Sequence, residues 1–168
     1  MARLKLQDMP AFSGHSPGQE RPLGGYALLT GTFLTLCGGF AAWMRHSGRE
    51  LPERPATGDL ALLALATHKT SRMIARDRVT SAVRAPFTIF QGDAGHAEVD
   101  EAARGHGLRL AVGELLICPY CLGMWIAAAF LGGLIVAPRP TRWIASAFAV
   151  LAGADALQIA YAKAEEAH

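Results

Sequence analysis

LLICPYCLGMWIAAAFLGGLIVA, residues Leu115 to Ala137, runs for 23 positions without a charged side chain. A helix needs about 20 predominantly apolar residues to cross a hydrocarbon core of roughly 30 Å, whereas runs of about 10–14 suit the interior of a soluble fold. A second run, Leu23 to Met44, holds 22 residues without a charge. It is too long for the apolar core of a signal peptide, and Trp43 and Met44 follow Ala41 and Ala42 where a cleavage site would need small residues. The whole chain is 168 residues, one domain by length, with 51% hydrophobic and only 18% charged residues, below the roughly 25% charged of soluble domains. These observations set the expected fold class: an all-α membrane bundle of about four transmembrane helices with one polar cytoplasmic loop.

Working outward from 115–137, Pro138, Arg139 and Pro140 form a short break, and Trp143 to Ala162 makes a further span. Upstream, 59–76 opens at Thr57-Gly58-Asp59, which reads as a helix cap. It is apolar from Leu60 to Ala66 and then turns basic with His68, Lys69, Arg72 and Arg76. Lys69, Arg72 and Arg76 share a helix face by their spacing. The expected spans are therefore 23–44, 59–76, 115–137 and 143–162 within one membrane domain, 23–162. Residues 1–22 and 163–168 are expected as tails, the first flexible. The polar segment 79–112 carries turn signals at Ala85-Pro86 and Gly92–Gly95, and short alternating pieces at 87–91 and 96–100 predict a small hairpin. Gly24, Gly25, Gly31, Gly38 and Gly39 offer close-approach surfaces to a neighbouring helix. Cys37 reads as a small buried hydrophobe. Trp43, Trp143 and Tyr161 lie near span ends, as an aromatic belt requires.

Four spans put both termini and the 79–112 loop on one side. Counting the basic half of the second span with that side gives eleven Lys and Arg there, against five on the other. The positive-inside rule then places both termini in the cytoplasm, and the expected location is the inner (cytoplasmic) membrane. The net charge of +2 supports no nucleic-acid partner. Expected partners are membrane lipids and a second protein or further copies of the chain.

The chemistry centres on Cys118-Pro119-Tyr120-Cys121. A Cys-x-x-Cys pair serves as a dithiol redox couple, as half of a zinc site, or as two packed thiols. The Cys-Pro-Tyr-Cys wording matches glutaredoxins, but their motif joins a strand to a helix in a soluble fold, and this one opens a membrane span. On a continuous helix Glu114, Cys118, Cys121 and Trp125 form one stripe. No cofactor is certain. Zinc is the candidate, with Cys118 and Cys121 completed from His68, Glu114 and Asp155. Asp155 is an acid inside an otherwise uncharged run, and such groups face the bundle and find a partner, here Lys69 or Arg72. Lys69, Arg72 and Arg76 form a candidate site for an anion or lipid headgroup. The remaining histidines, His15, His46, His96, His106 and His168, read as solvated. There is no phosphate loop, Ser-His-Asp arrangement, dinucleotide fingerprint or internal repeat.

Three stretches carry a family resemblance. One is Ala66-Thr67-His68-Lys69-Thr70-Ser71-Arg72, continuing through Asp77 and Thr80 to Arg84-Ala85-Pro86-Phe87; the second is Gly113-Glu114-Leu115-Leu116-Ile117-Cys118-Pro119-Tyr120-Cys121-Leu122-Gly123-Met124-Trp125; the third is Ala152-Gly153-Ala154-Asp155. From Asp59 to about Tyr161 the chain resembles the bacterial membrane family catalogued as domain of unknown function 1360. The resemblance implies an integral membrane protein and, for some members, an association with sporulation. It supplies no reaction. The first expectation is thus a non-enzymatic structural, interaction or metal-binding membrane component. The alternative is a thiol–disulfide oxidoreductase with Cys118 as nucleophile and Cys121 as resolving thiol. A third reading is a transporter or proton-linked subunit built around Asp155.

Overall fold

The computed structural model describes residues 15–16, 21–49 and 53–166. Most of the expected amino-terminal tail, and His168, lie outside the described residues. The elements are α1 (Leu23–His46), α2 (Thr57–Arg76), a 3-10 turn (Arg78–Thr80) running into α3 (Ser81–Arg84), strands β1 (Thr88–Asp93) and β2 (Val99–Ala103), then α4 (Gly107–Leu116), α5 (Pro119–Val136) and α6 (Pro138–Glu166).

Three helices, α1, α5 and α6, are long and apolar enough to cross a membrane, and only 6% of the apolar stretch of each is buried inside the protein. Large apolar side chains such as Leu34 and Val150 therefore point outward. That is the arrangement expected when the solvent is lipid, because hydrocarbon gives no drive to hide them. The fourth expected span corresponds to α2, which is 20 residues long but carries Lys69, Arg72 and Arg76. It is the helix against which α5 and α6 pack, while α1 packs on α4 and α5. Leu63 and Ala66 of α2 meet Ala145 of α6 in the core, with Phe130, Leu134 and Phe148 around them.

Residue pairs give the helix directions. Asp59 meets Arg142 and Lys69 meets Asp155, so α2 and α6 run the same way. Thr67 lies beside Gly123 while Leu63 packs with Phe130 and Leu134, so α5 runs against α2. Gly25 abuts Ala111, Phe33 stacks edge-on against Trp125 at 5.1 Å and Phe40 reaches Gly132, so α1 runs with α5. In chain order the four long helices alternate in direction.

Several local expectations change. The run around Cys118 is not one helix. Pro119 disfavours helical backbone at the residue before it, and Cys118 is extended at φ −105°, ψ 99°. The chain then restarts as α5 with Pro119 at its first turn, where the missing N–H costs little. The stretch expected as loop to residue 112 already contains the first half of α4. Thr57 and Asp59 do not cap α2, which follows Ala56 with no side-chain cap; Asp59 instead binds Arg142 with two bonds of 2.7 and 2.8 Å. Cys37, expected to be buried, is exposed on the outer surface of α1, where lipid takes the place of protein packing. Gly25 is crowded, since a Cβ there would sit 2.6 Å from that of Ala111, while Gly31, Gly38 and Gly39 face open space.

The polar segment folds into a cap over one end of the bundle. β1 and β2 pair antiparallel from Thr88↔Ala103 to Asp93↔Val99, with an irregularity between Phe90 and Gly92. The hairpin is the expected one with its second strand three residues later. A bridge between Asp77 and Glu98 ties it to the end of α2.

Candidate functional site

Cys118 and Cys121 are joined as a disulfide, with their Cα atoms 5.2 Å apart. Cys118 is the N-cap residue of α5, and the Cys121 N–H donates to its sulfur at 3.1 Å. A helix start of this kind favours negative charge on the capping group, which for cysteine means the thiolate. Cys121 is exposed and Cys118 half-buried.

Both sulfurs line a cavity of about 630 Å³ between α1, α4 and the start of α5. Its wall is mostly apolar, from Leu29, Leu115, Ile117, Met124 and Trp125, with one polar corner. There the Tyr26 hydroxyl donates to Glu114 Oε2 in a short hydrogen bond, and Arg21 Nη1 lies 3.3 Å from Glu114 Oε1. Glu114, Cys118, Cys121 and Trp125 thus share one site, although the helix that was expected to align them is broken. Tyr26 and Arg21 were not anticipated as members. They lie more than 80 residues away in sequence, and only the docking of α1 on α4 brings them in.

The remaining candidate residues are separated by their partners. Asp155 pairs with Lys69 at 2.7 Å, as the burial argument anticipated, and Lys69 also lies 3.8 Å from Asp77. Arg72 makes two bonds to Glu98 (2.7 and 3.0 Å), and Arg76 bonds Asp100 at 2.7 Å. The three cations of the expected anion site are therefore each engaged by a carboxylate, two of them from the hairpin. His68 is exposed on α2. The zinc set of Cys118, Cys121, His68, Glu114 and Asp155 is not assembled: among the described residues, no three His, Cys, Asp or Glu side chains converge to hold a metal ion. The physical reason is that Glu114 and Asp155 are held by Arg21, Tyr26 and Lys69, and a disulfide sulfur is not the thiolate that binds zinc.

Sequence reasoning missed the most buried charge in the protein. Arg84 is fully enclosed and Glu101 nearly so. The Arg84 Nε and Nη2 each donate to Glu101 at 3.0 Å, and the guanidinium also donates to the Ile74 carbonyl (2.6 Å), the Thr80 hydroxyl (2.7 Å) and the Asp77 carbonyl (3.1 Å). Ser81 and Thr88 each donate to Glu101 at 2.7 Å. Burial pushes the Glu101 carboxyl up, but the hydrogen bonds from Arg84, Thr88 and Ser81 and the adjacent guanidinium charge outweigh it, leaving its pKa below the usual range. This cluster locks the end of α2, α3 and the hairpin together, and it faces no cavity that lines the thiol pair.

Among curated proteins, the chain is similar to "Sporulation protein YjcA" of Bacillus subtilis (strain 168), with 31% identity over 88 residues that cover 51% of this chain and 75% of the relative. No solved structure matches it. The family described as "Protein of unknown function (DUF1360)" matches residues 62–161, which include the thiol pair, the Arg84–Glu101 cluster and the Lys69–Asp155 pair but leave α1 outside. A match over more than half of its length makes the chain a member of the DUF1360 family.

Proposed function

We propose that this protein is a multi-pass inner-membrane component that performs thiol–disulfide exchange through Cys118 and Cys121. The observation that carries the reading is the joined pair in the lining of a cavity, with Cys118 at a helix start and Cys121 exposed. An incoming thiolate attacks Cys121 Sγ, the Cys118–Cys121 bond breaks, and Cys118 departs as a thiolate stabilised by the first turn of α5. Attack at Cys121 reverses the roles expected from sequence spacing, because exposure favours the second cysteine and the helix start favours the first as leaving group.

Topology supports the same reading. In it α2 is a fourth span, shielded by α5 and α6. On this reading the start of α1, the end of α6 and the polar cap share one side, and the excess of Lys and Arg favours the cytoplasm for it. Disulfides in a reducing cytoplasm are usually transient and catalytic or redox-sensing, not structural. The spore-forming context in the relative's name is compatible with such a component, and a protein partner is its natural substrate.

The test is a redox titration of the full chain in mild detergent, read by thiol alkylation and mass, with Cys118→Ser/Cys121→Ser as control. A two-electron transition that disappears in the control is the expected result. Near-stoichiometric zinc in anaerobically purified protein, lost in the same control, would overturn it and make the pair a metal site.

A further inference from the structure

The cavity is larger than a thiol pair needs, and its chemistry selects a ligand. Its volume of about 630 Å³ falls within the roughly 300–1,000 Å³ of small-molecule sites. Along α5 its lining runs from Tyr120 to Trp125, five residues or about 7.5 Å of an apolar helix. Its mostly apolar lining favours an apolar guest. The flat Trp125 ring and the flexible Met124 side chain suit a planar guest. At the polar corner the Arg21 guanidinium has N–H donors beyond the one that meets Glu114, while the single Tyr26 O–H is already given to that carboxylate. Both sulfurs border the same space. A lipid-soluble, planar molecule with oxygen acceptors that also takes two electrons from a dithiol is a quinone.

We propose that this cavity binds a membrane quinone, which reoxidises the reduced Cys118–Cys121 pair. The inference rests on the thiol–disulfide reading above and names its oxidant. The Cys118 thiolate adds to a ring carbon, forming a sulfur–carbon bond, and the ring's electron pair moves onto one quinone oxygen, which takes up a proton. The Cys121 thiolate then attacks Cys118 Sγ. The disulfide forms, the sulfur–carbon bond breaks, and the second oxygen is protonated as its electron pair arrives. The two protons equal the two released by the thiols, so dithiol and quinone become disulfide and hydroquinone.

The experiment uses the full chain in lipid nanodiscs, reduced and freed of reductant without oxygen, mixed with a short-chain benzoquinone. Hydroquinone absorbance and remaining thiols are followed together. The expected result is one quinone reduced per chain, with a rate that saturates in quinone and vanishes in Cys118→Ser. Arg21→Met, which removes the free donors of the polar corner, should raise the half-saturating concentration about fivefold. Trp125→Leu should raise it as well. A rate linear in quinone and equal in all cysteine-containing variants overturns the proposal, since it describes dithiol chemistry without a site. A pair that cycles with glutathione but is not oxidised by quinone overturns it and leaves the proposed function standing. A pair that cycles with neither overturns both.

Discussion

Removing the Glu101 carboxylate would leave the Arg84 guanidinium enclosed with no compensating charge. Breaking one side of a buried pair costs about 3–5 kcal/mol, so Glu101→Gln and Arg84→Met should each lower the unfolding midpoint in detergent by a margin that is easy to measure. Arg84→Lys should not rescue, because an ammonium cannot reproduce the two parallel bonds to Glu101. The pH dependence has a definite sign. The folded pKa of Glu101 is depressed, so its contribution is complete above the ordinary glutamate range and is lost as pH falls through the lower folded value. Unfolding midpoints measured against pH should therefore drop on the acid side in the parent and fall less steeply in Glu101→Gln. The Lys69–Asp155 pair makes a second expectation. Asp155→Ala leaves a largely buried ammonium with Asp77 at 3.8 Å as its remaining partner, whereas Lys69→Met/Asp155→Leu removes both charges. The single variant should be the less stable of the two, and equal stabilities would show that the pair does not matter. The acid within an apolar run announced its own need for a partner, so Asp155 was legible in the sequence. Arg84 and Glu101 were not, because they sit in the polar segment 79–112, where charge ordinarily means solvent.

Helix α1 docks on α4 through the Tyr26–Glu114 bond and through Gly25, which lies against Ala111. Gly25→Ala would place a methyl 2.6 Å from the Ala111 Cβ and 3.0 Å from the Gly107 carbonyl oxygen, an overlap that backbone cannot relieve cheaply. A loss of about 1–3 kcal/mol is expected, with Gly38→Ala, which meets nothing within 4 Å, as the neutral comparison. Gly113 repeats the device on the other side of α4: an added Cβ would lie 2.5 Å from the Phe87 carbonyl oxygen, so Gly113→Ala should separate α4 from the hairpin and expose Phe87 and Ala103 to proteolysis. Five glycines in α1 look alike in sequence, since spacing does not say which one a neighbour approaches. The break between α4 and α5 was written in the sequence as Pro119, yet a proline near a helix start is equally consistent with one helix that begins there. The extended backbone at Cys118 decided between them.

For the molecule as a whole, alternating helix directions and an exposed apolar girdle lead to a topology that can be tested directly. Reporters inserted in the hairpin loop near Gly95 and in the connection near Glu53 should appear on opposite faces of the inner membrane, the first in the cytoplasm. Reporters on the same side would remove α2 as a span and move the disulfide argument with it. The chain's own charge-free runs determined that it is a helical membrane protein, because the length of an apolar run against the thickness of a bilayer is a one-dimensional comparison that needs no folding. The hairpin, the acid seeking a cation and the family likeness were legible for similar reasons, each resting on neighbours a few residues apart. Tertiary structure alone decided that Arg21 and Tyr26 join the thiol pair, that Arg72 and Arg76 of α2 pair with the hairpin, and that Glu114 and Asp155 are held by other partners. Those outcomes depend on which helix faces meet. In lipid, where apolar surface has no preferred side, the meeting is set by local close packing and ion pairs that sequence spacing does not encode.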